Sequence, residues 1–238
     1  MRKPWPAEFK WRQFEPQLIM TAVGWYLRYS LSYRDVEELL VERGLSADHV
    51  TVWRWVQRYS PELERRLRQH LKPTNKSWRV DETYIRVKGK WTYLYRAVDS
   101  SGATIDFLLS AKRDAAAAKR FFQKALRSPN HPTPRVVNVD RNPCYPRVVE
   151  ELKAEGTLGQ RYQLRPGQYL NNILEHDHRA IKRRVRASQG FRCFWGAYRT
   201  IQGYEAMHAI RKGQVKWVGQ GQLVKQIRFI ASLLQITA

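Results

Sequence analysis

Three acidic side chains, Asp81, Asp140 and Glu175, stand in sequence surroundings typical of a metal-dependent site. Asp81 lies in an apolar run typical of a β-strand, Asp140 closes the short run Val-Val-Asn-Val-Asp, and Glu175 begins a strongly basic helical stretch. Carboxylates held by two strands and a helix suit two divalent cations about 3.5–4 Å apart over one phosphate. Hard oxygen ligands select Mg²⁺ or Mn²⁺. The pattern therefore predicts that all three acids are catalytic and bind two metal ions.

Other acids in the same region are weaker candidates for this site. Glu82 follows Asp81 on the same strand, so it should point to the opposite face and could not share a metal pair with Asp81. Asp99 begins a predicted hairpin turn, where Asp is common for backbone reasons. Asp106 lies in mid-strand with no helical acid at a suitable distance. We expect structural roles for Glu82, Asp99 and Asp106.

The helix that Glu175 begins is rich in cations. A basic run is usually only a solvated face, but this one shares the helix face of a predicted metal ligand, which favours contact with a nucleic-acid backbone. His176 and His178 diverge by about 200° on a helix, unlike a zinc-binding pair, so phosphate contact or packing is expected of them. The predicted backbone contacts are Arg179, Lys182, Arg183 and Arg186.

The charge balance points to a polyanionic partner. The chain of 238 residues holds 43 Lys and Arg against 21 Asp and Glu, a formal net charge of +22. Residues 1–73 carry 13 basic and 9 acidic groups, whereas residues 74–238 carry 30 and 12. Nucleic acid is the first partner to consider and an anionic membrane surface the second.

Cysteine usage and hydropathy indicate a cytosolic chain. Cys144 and Cys193 are the only cysteines and form no Cys-x-x-Cys pair, so neither a zinc ribbon nor a disulfide framework is supported. The early apolar run 18–27 is too short to span a bilayer and lacks a cleavage site. We interpret it as a core helix.

The N-terminal third reads as helices. Ser32, followed by Asp35 three residues on, is a capping pattern, and Gly44 marks the end of the helix it starts. A second helix is predicted over 47–58, capped at Ser46. Helix, short Gly-containing turn and helix form a helix-turn-helix pattern, whose second helix would enter the major groove of DNA.

The faces of this second helix can be assigned from the pattern. Val50, Trp53 and Val56 are expected to face inward. A small helical bundle that mediates dimerisation remains an alternative to DNA binding. The residues predicted to face outward and contact DNA are His49, Thr51, Arg54 and Arg58.

From residue 78 the hydrophobic period becomes that of strands. The order β-β-β-α-β-α-β-α is that of a ribonuclease H-like fold, an α/β class with a mixed five-stranded sheet in which the fourth strand lies beside the first. The predicted domains are an all-α helix-turn-helix domain, 1–73, and a catalytic domain with basic C-terminal helices, 74–238. The predicted elements are strands at 78–87, 91–98 and 103–110, a helix capped by Asp114 that runs to about Arg127, a strand at 135–139, a helix over about 145–155, a strand near 161–164 and a helix from about Leu170.

Two long segments, Trp78 to Asp99 and Tyr169 to Lys182, resemble the DDE transposases of bacterial insertion sequences, specifically the insertion-sequence six family. The family's acids fall where Asp81, Asp140 and Glu175 fall here, and the family spacing of 34 residues between the second and third acids is kept. The fold that this resemblance implies is the retroviral integrase-like form of the ribonuclease H fold.

The resemblance also implies a function. The helix-turn-helix would bind the element's terminal inverted repeats, and the triad would catalyse Mg²⁺-dependent strand cleavage and strand transfer on double-stranded DNA. A homodimer or larger assembly on DNA, a replicative route through cointegrates, and a place at the nucleoid in the bacterial cytoplasm are implied in the same way. Two alternatives stay open: a catalytically inactive DNA-binding regulator, and an integrase or nuclease of another DDE family.

Overall fold

The protein is described by a computed structural model that covers residues 5–10, 13–128, 131–140, 142–159, 162–167 and 172–236, without the side chains of 172, 173 and 176. The chain divides into two compact units. The first combines Met1–Leu71 with Arg183–Ala238, and the second is Lys72–Lys182. The boundary predicted after residue 73 lies close to that after Leu71. The assignment of residues 183–238 to the second domain differs from this division.

The first unit is helical. The capping box predicted for its second helix is confirmed: the Ser32 amide donates to Asp35 Oδ2 at 2.7 Å, and the Asp35 amide donates to Ser32 Oγ at 3.1 Å. Its full helices are α1 (Pro16–Arg28), α2 (Tyr33–Val41), α3 (His49–Leu67), α7 (Phe194–Arg211) and α8 (Leu223–Leu233).

The start and the inward face of α3 differ from the prediction. Asp48 caps the helix in place of Ser46, since Asp48 Oδ1 accepts from the Thr51 amide at 2.7 Å. Val50 and Trp53, predicted to be inward, are 38% and 41% exposed. A stripe with a constant spacing of three residues drifts around a helix by about 60° per step, whereas spacings of three and four stay on one face. The residues that follow such a pattern and are buried are Val52, Trp55, Val56, Tyr59 and Leu63.

Close packing explains why the C-terminal helices belong with the N-terminal ones. A Cβ atom on Gly203 of α7 would lie 2.4 Å from Ser60 Oγ and 2.7 Å from Leu27 Cδ2, so only glycine allows this approach. Nearby, Tyr26 stacks on Tyr33 at 4.0 Å between ring centroids. The first unit therefore has one core built from both ends of the chain.

The second unit is built on the predicted mixed sheet of five strands, in the order β3-β2-β1-β4-β5. β1, β2 and β3 are antiparallel, whereas β4 runs parallel to β1 and β5 parallel to β4. This strand order confirms the ribonuclease H-like fold. The strands are β1 (Ser77–Val87), β2 (Lys90–Asp99), β3 (Thr104–Ser110), β4 (Val136–Val139) and β5 (Gln163–Pro166).

Three helices accompany the sheet: α4 (Ala115–Leu126), α5 (Cys144–Ala154) and α6 (Asn172–Ala187). Asp114 caps α4 as predicted, accepting from the Ala117 amide at 2.8 Å. α4 and α5 share one hydrophobic core with Trp78 and Val80 of β1. The predicted starts of the last strand and helix, near residues 161 and 170, lie outside the described residues. In the part of the chain that the structure covers, no helix has the length and apolar character needed to cross a membrane.

Candidate active site

The parallel pairing of β1 with β4 brings two of the predicted acids to the same level of the sheet. Ser77 pairs with Val136 and Arg79 with Asn138, and the same offset of 59 residues relates Asp81 to Asp140. Asp140 directly follows the last residue of β4. Beyond this point β1 continues to Val87, and in the described part of the chain it has no strand partner on the β4 side, which leaves an open edge beside both carboxylates.

A third carboxylate joins them at this edge. Asp81, Glu82 and Asp140 each offer one oxygen atom, and the three atoms lie within 4.8 Å of one another. The expectation that Glu82 could not share a metal site with Asp81 is therefore wrong. Side chains do alternate between the two faces of β1, since Glu82 projects to the face covered by α5. At the open edge, however, side chains from both faces lie close to Asp140.

Glu82 is nevertheless held by partners of its own. Its Oε1 accepts from Arg113 Nε at 2.6 Å and from Asn142 Nδ2 at 3.1 Å, and its Oε2 accepts from the Tyr145 hydroxyl. The Glu82 side chain is only 4% exposed, whereas that of Asp140 is 34% exposed. Glu82 is thus held in place by these partners, and its side chain is less exposed than that of Asp140.

Burial and mutual repulsion make these acids hard to ionise without a cation. Burial, and then the charge of Glu82, raise the pKa of Asp81 to about 7; Asp140 and Glu175 contribute further. Burial and Glu82 also raise the pKa of Asp140, while Arg113, with one nitrogen 3.7 Å from Asp140 Oδ2, opposes this. A hard divalent cation would relieve such repulsion, so the oxygen-only donor set fits Mg²⁺ or Mn²⁺.

Glu175 lies in the first turn of α6 and is exposed. In the described part of the chain it is not one of the acids within 4.8 Å of each other, although its charge contributes to the raised pKa of Asp81. From α6, His178 contacts Asp81, with Nδ1 3.9 Å from Asp81 Oδ2. Burial lowers the pKa of His178 to about 3, so a neutral imidazole packs beside Asp81.

A buried ion pair ties α6 to the sheet. Arg96 is the cross-strand neighbour of Asp81 on β2 and is fully buried. Its Nη2 lies 3.4 Å from Oδ2 of Asp177, two residues after Glu175. The pair fixes the inward face of α6 close to the acids.

The two alternative acids have structural roles, as expected. Asp99 accepts from the amides of Asn75, Ser101 and Ala103, each at 2.9 Å, and so closes the turn. Asp106 lies 2.9 Å from Lys124 Nζ and is buried. Among the described residues, neither belongs to the carboxylate cluster.

The predicted cations of α6 are accessible. Arg179, Arg183 and Arg186 are exposed. Lys182 places Nζ 4.8 Å from the centre of the Tyr84 ring, and Tyr84 itself is 53% exposed. Lys182 therefore lies over an exposed aromatic ring two positions beyond Glu82 on β1.

The predicted contacts on α3 are all at least partly accessible. Arg54 and Arg58 are exposed, and His49 and Thr51 are half-buried. His49 Nδ1 lies 2.9 Å from Glu37 Oε2 on α2. The two arginines are therefore the more open members of this set.

Sequence reasoning missed the side chains that support the acids. Arg113 precedes α4, whereas Asn142 lies just before α5 and Tyr145 in its first turn, and their common partner Glu82 carries no sequence signal that links these two segments. Arg96 could have been found, because antiparallel pairing through the Lys88-Gly89 turn places it directly opposite Asp81.

Comparison with known proteins adds independent support. A family model described as a DDE domain, DDE_Tnp_IS240, matches residues 75–214. The transposase for insertion sequence-like element IS431mec of Staphylococcus aureus strain Mu50 is 40% identical over 210 residues, which cover 86% of this chain and 88% of the relative. The transposase for insertion sequence element IS257 in transposon Tn4003 of Staphylococcus aureus is 39% identical over 210 residues, with the same coverage.

Among solved structures, the HTLV-2 integrase catalytic core domain in complex with magnesium (dimeric form) matches with a TM-score of 0.43 and 14% identity, over 61% of this chain and 92% of that chain. The fold assignment rests on the strand order and not on this superposition. The chain belongs to the DDE transposases of insertion sequences, in the insertion-sequence six family, and is an enzyme of the polynucleotidyl transferase class.

Proposed function

We propose that this transposase binds the terminal inverted repeats of its insertion sequence and catalyses Mg²⁺-dependent strand cleavage and strand transfer. The observation that carries the proposal is the convergence of Asp81 and Asp140 at the open edge of β1, where desolvated carboxylates lie close together. Such an arrangement is stable in its ionised form only when cations are bound. Family membership identifies the chemistry as phosphoryl transfer on DNA.

Asp81, Asp140 and Glu175 would hold two Mg²⁺ ions. When bound, Mg²⁺ would supply a water of lowered pKa and would stabilise the 3′-oxygen that leaves. The protein residues keep the acids in place: Arg113, Asn142 and Tyr145 anchor Glu82. His178, being neutral, packs against Asp81 without competing as a cation.

Glu175 completes the proposed triad from α6. Its exposed position leaves its carboxylate free to turn toward Asp81, while the Arg96–Asp177 pair holds the helix against the sheet. Water is the first nucleophile and the freed 3′-hydroxyl the second, each attacking a phosphate in line. No serine or tyrosine nucleophile is then required.

The basic side chains would bind the DNA around this chemistry. Arg179, Lys182, Arg183 and Arg186 on α6 would contact phosphates, which carry no sequence information. His49, Thr51, Arg54 and Arg58 on α3 would contact the inverted repeat. A homodimer or larger assembly on DNA would hold both ends of the element together.

An oligonucleotide assay tests the proposal. Duplexes that end in the inverted repeat flanking the gene are incubated with the protein and a target plasmid, in Mg²⁺, Mn²⁺ or EDTA. We expect 3′-end cleavage and joining in either metal, none in EDTA, and loss of both with a scrambled repeat. Metal-dependent cutting that ignores the repeat would indicate a nuclease, and repeat binding without any cutting would indicate a regulator.

A further inference from the structure

Two apolar side chains stand exposed on the part of α3 expected to meet DNA. We propose that Val50 and Trp53 contact the C5-methyl groups of thymines in the major groove of the inverted repeat and thereby set part of its sequence preference. This inference rests on the proposed function, since it requires that α3 reads the repeat. It adds two residues that recognise thymine to the exposed face of α3, for which only polar contacts with DNA were predicted.

The exposed apolar residues of α3 lie in its first two turns. At about 100° per residue, Val50, Trp53 and Arg54 lie within an arc of about 100°, and all three are exposed. Further along this side of the helix the face is closed, because Gln57 is buried and its Nε2 donates to Thr200 Oγ1 of α7 at 2.9 Å. In helix-turn-helix proteins the N-terminal residues of the second helix contact base edges, and Val50 and Trp53 lie in that part of α3.

The charge around the pair favours DNA over another protein copy. Val50 and Trp53 line a cleft of about 530 Å³, whose other walls include Arg34 at the start of α2 and Arg192 before α7. No Asp or Glu occurs among the described residues that line it. A second copy of a chain with net charge +22 would bring further cations, whereas DNA brings phosphates for Arg34 and Arg192.

The chemistry then selects thymine. In the major groove thymine alone presents a methyl group, and apolar side chains recognise it by contact. The Val50 side chain ends in methyl groups, and the Trp53 side chain is an aromatic ring. Both can make apolar contacts with a thymine methyl group. Burial of one methyl group corresponds to about a fourfold gain in affinity.

Replacing thymine by deoxyuridine tests the contact, because it removes the methyl group and nothing else. Each thymine of the repeat duplex is replaced in turn, and affinity is measured against a random duplex for the wild type, Val50→Ala and Trp53→Ala. The controls are Val41→Ala and Trp217→Ala, at side chains 61% and 82% exposed elsewhere in the first unit. Light scattering records the oligomeric state of every variant.

We expect deoxyuridine to weaken wild-type binding about fourfold at one or more positions. Val50→Ala or Trp53→Ala should weaken binding to the thymine duplex by a similar factor and abolish the deoxyuridine effect at its own position, and the controls should keep it. If the wild type prefers the repeat but ignores every deoxyuridine, the inference fails while the proposed function stands. If the wild type does not prefer the repeat, both fail. A variant that changes oligomeric state but keeps the deoxyuridine effect would assign the patch to a protein contact and overturn the inference.

Discussion

The Asp81 carboxyl group has a pKa raised to about 7. It lies beside Glu82 and Asp140 and is largely buried, and both effects disfavour its charge. An acid of this kind stays protonated in the metal-free protein until the pH approaches 7. Its ionisation is therefore coupled both to folding and to metal binding.

The first prediction concerns stability. Because the folded-state pKa of Asp81 is raised from 3.8 to about 7, its contribution to stability is complete below pH about 4 and is lost as the pH rises through about 7. Without metal, Asp81→Asn should therefore have a higher Tm than the wild type at pH 8 and a nearly equal Tm at pH 4. Mg²⁺ should raise the Tm of the wild type at pH 8 and not that of the variant.

Thermal melts in EDTA and in Mg²⁺, at both pH values, measure this effect. Glu150→Gln is the control, since Glu150 is an exposed acid on α5 whose loss changes the net charge equally. An Asp81→Asn protein that is less stable than the wild type at pH 8 in EDTA would contradict the assigned electrostatics.

The second prediction concerns Glu82. Its charge is the largest electrostatic cause of the raised pKa of Asp81, so Glu82→Gln should lower that pKa. The pH at which Mg²⁺-dependent cleavage is half-maximal should then fall, whereas Asp81→Asn should have no activity at any pH. A pH–rate profile of Glu82→Gln that coincides with the wild-type profile would show that Glu82 does not act on Asp81.

At the scale of elements, features set by local residues could be predicted and those set by packing could not. The caps at Ser32 and Asp114 and the two-residue turn at Lys88-Gly89, whose φ angles of 50° and 75° are both positive, follow from nearby side chains and backbone preferences. The strand order followed from the sequence of elements. The inward face of α3 was misjudged because two apolar stripes overlap on that helix.

One helix is longer than predicted. The second helix was expected over 47–58, yet α3 runs from His49 to Leu67 with Pro61 inside it. The lost backbone hydrogen bond is offset by packing, since Tyr59, Leu63 and Leu67 are buried on both sides of the proline. Tertiary contacts with the C-terminal helices determine how far α3 extends, and no local sequence pattern predicts those contacts.

The third prediction tests that packing. Gly203→Ala places a Cβ atom 2.4 Å from Ser60 Oγ and should destabilise the protein by about 1–3 kcal/mol, as overpacking of a tight core does. Gly24→Ala on α1 is the matched control: it has no atom within 4 Å of the added Cβ and should be neutral or stabilising by about 0.5–1 kcal/mol. Equal free energies of unfolding for both variants would show that α7 does not pack closely on α3.

At the scale of the whole molecule, positive charge is shared by both units. The first unit holds 22 basic and 10 acidic residues and the second 21 and 11, because residues 183–238 carry many arginines into the first. When the chain is divided at residue 73 instead, most of the excess positive charge falls in the C-terminal part. Both units are equipped to bind DNA phosphates.

The fourth prediction separates specific phosphate contact from overall charge. Lys182→Ala should weaken binding to any duplex and lower the slope of log affinity against log salt by about one. Lys119→Ala removes the same charge, but Lys119 Nζ forms ion pairs with Glu151 at 2.9 Å and Glu155 at 2.6 Å. The slope of log affinity against log salt should therefore be the same for Lys119→Ala as for the wild type. Binding to specific and random duplexes is measured over a salt series in Ca²⁺. Equal salt slopes for Lys182→Ala and the wild type would show that the cations of α6 face solvent and do not contact phosphates.

The assignment of Asp81, Asp140 and Glu175 as one metal-binding triad is tested most directly by strand transfer with isosteric variants. Asp81→Asn, Asp140→Asn and Glu175→Gln are assayed on repeat-ended DNA in Mg²⁺, with repeat binding measured in parallel and Glu150→Gln as the control. Each of the three should bind the repeat as the wild type does and neither cleave nor join, because metal binding needs the charge and the fold needs only the shape. Cleavage by Glu175→Gln at the wild-type rate would contradict the account and leave Asp81, Glu82 and Asp140 as the acids that hold the metal.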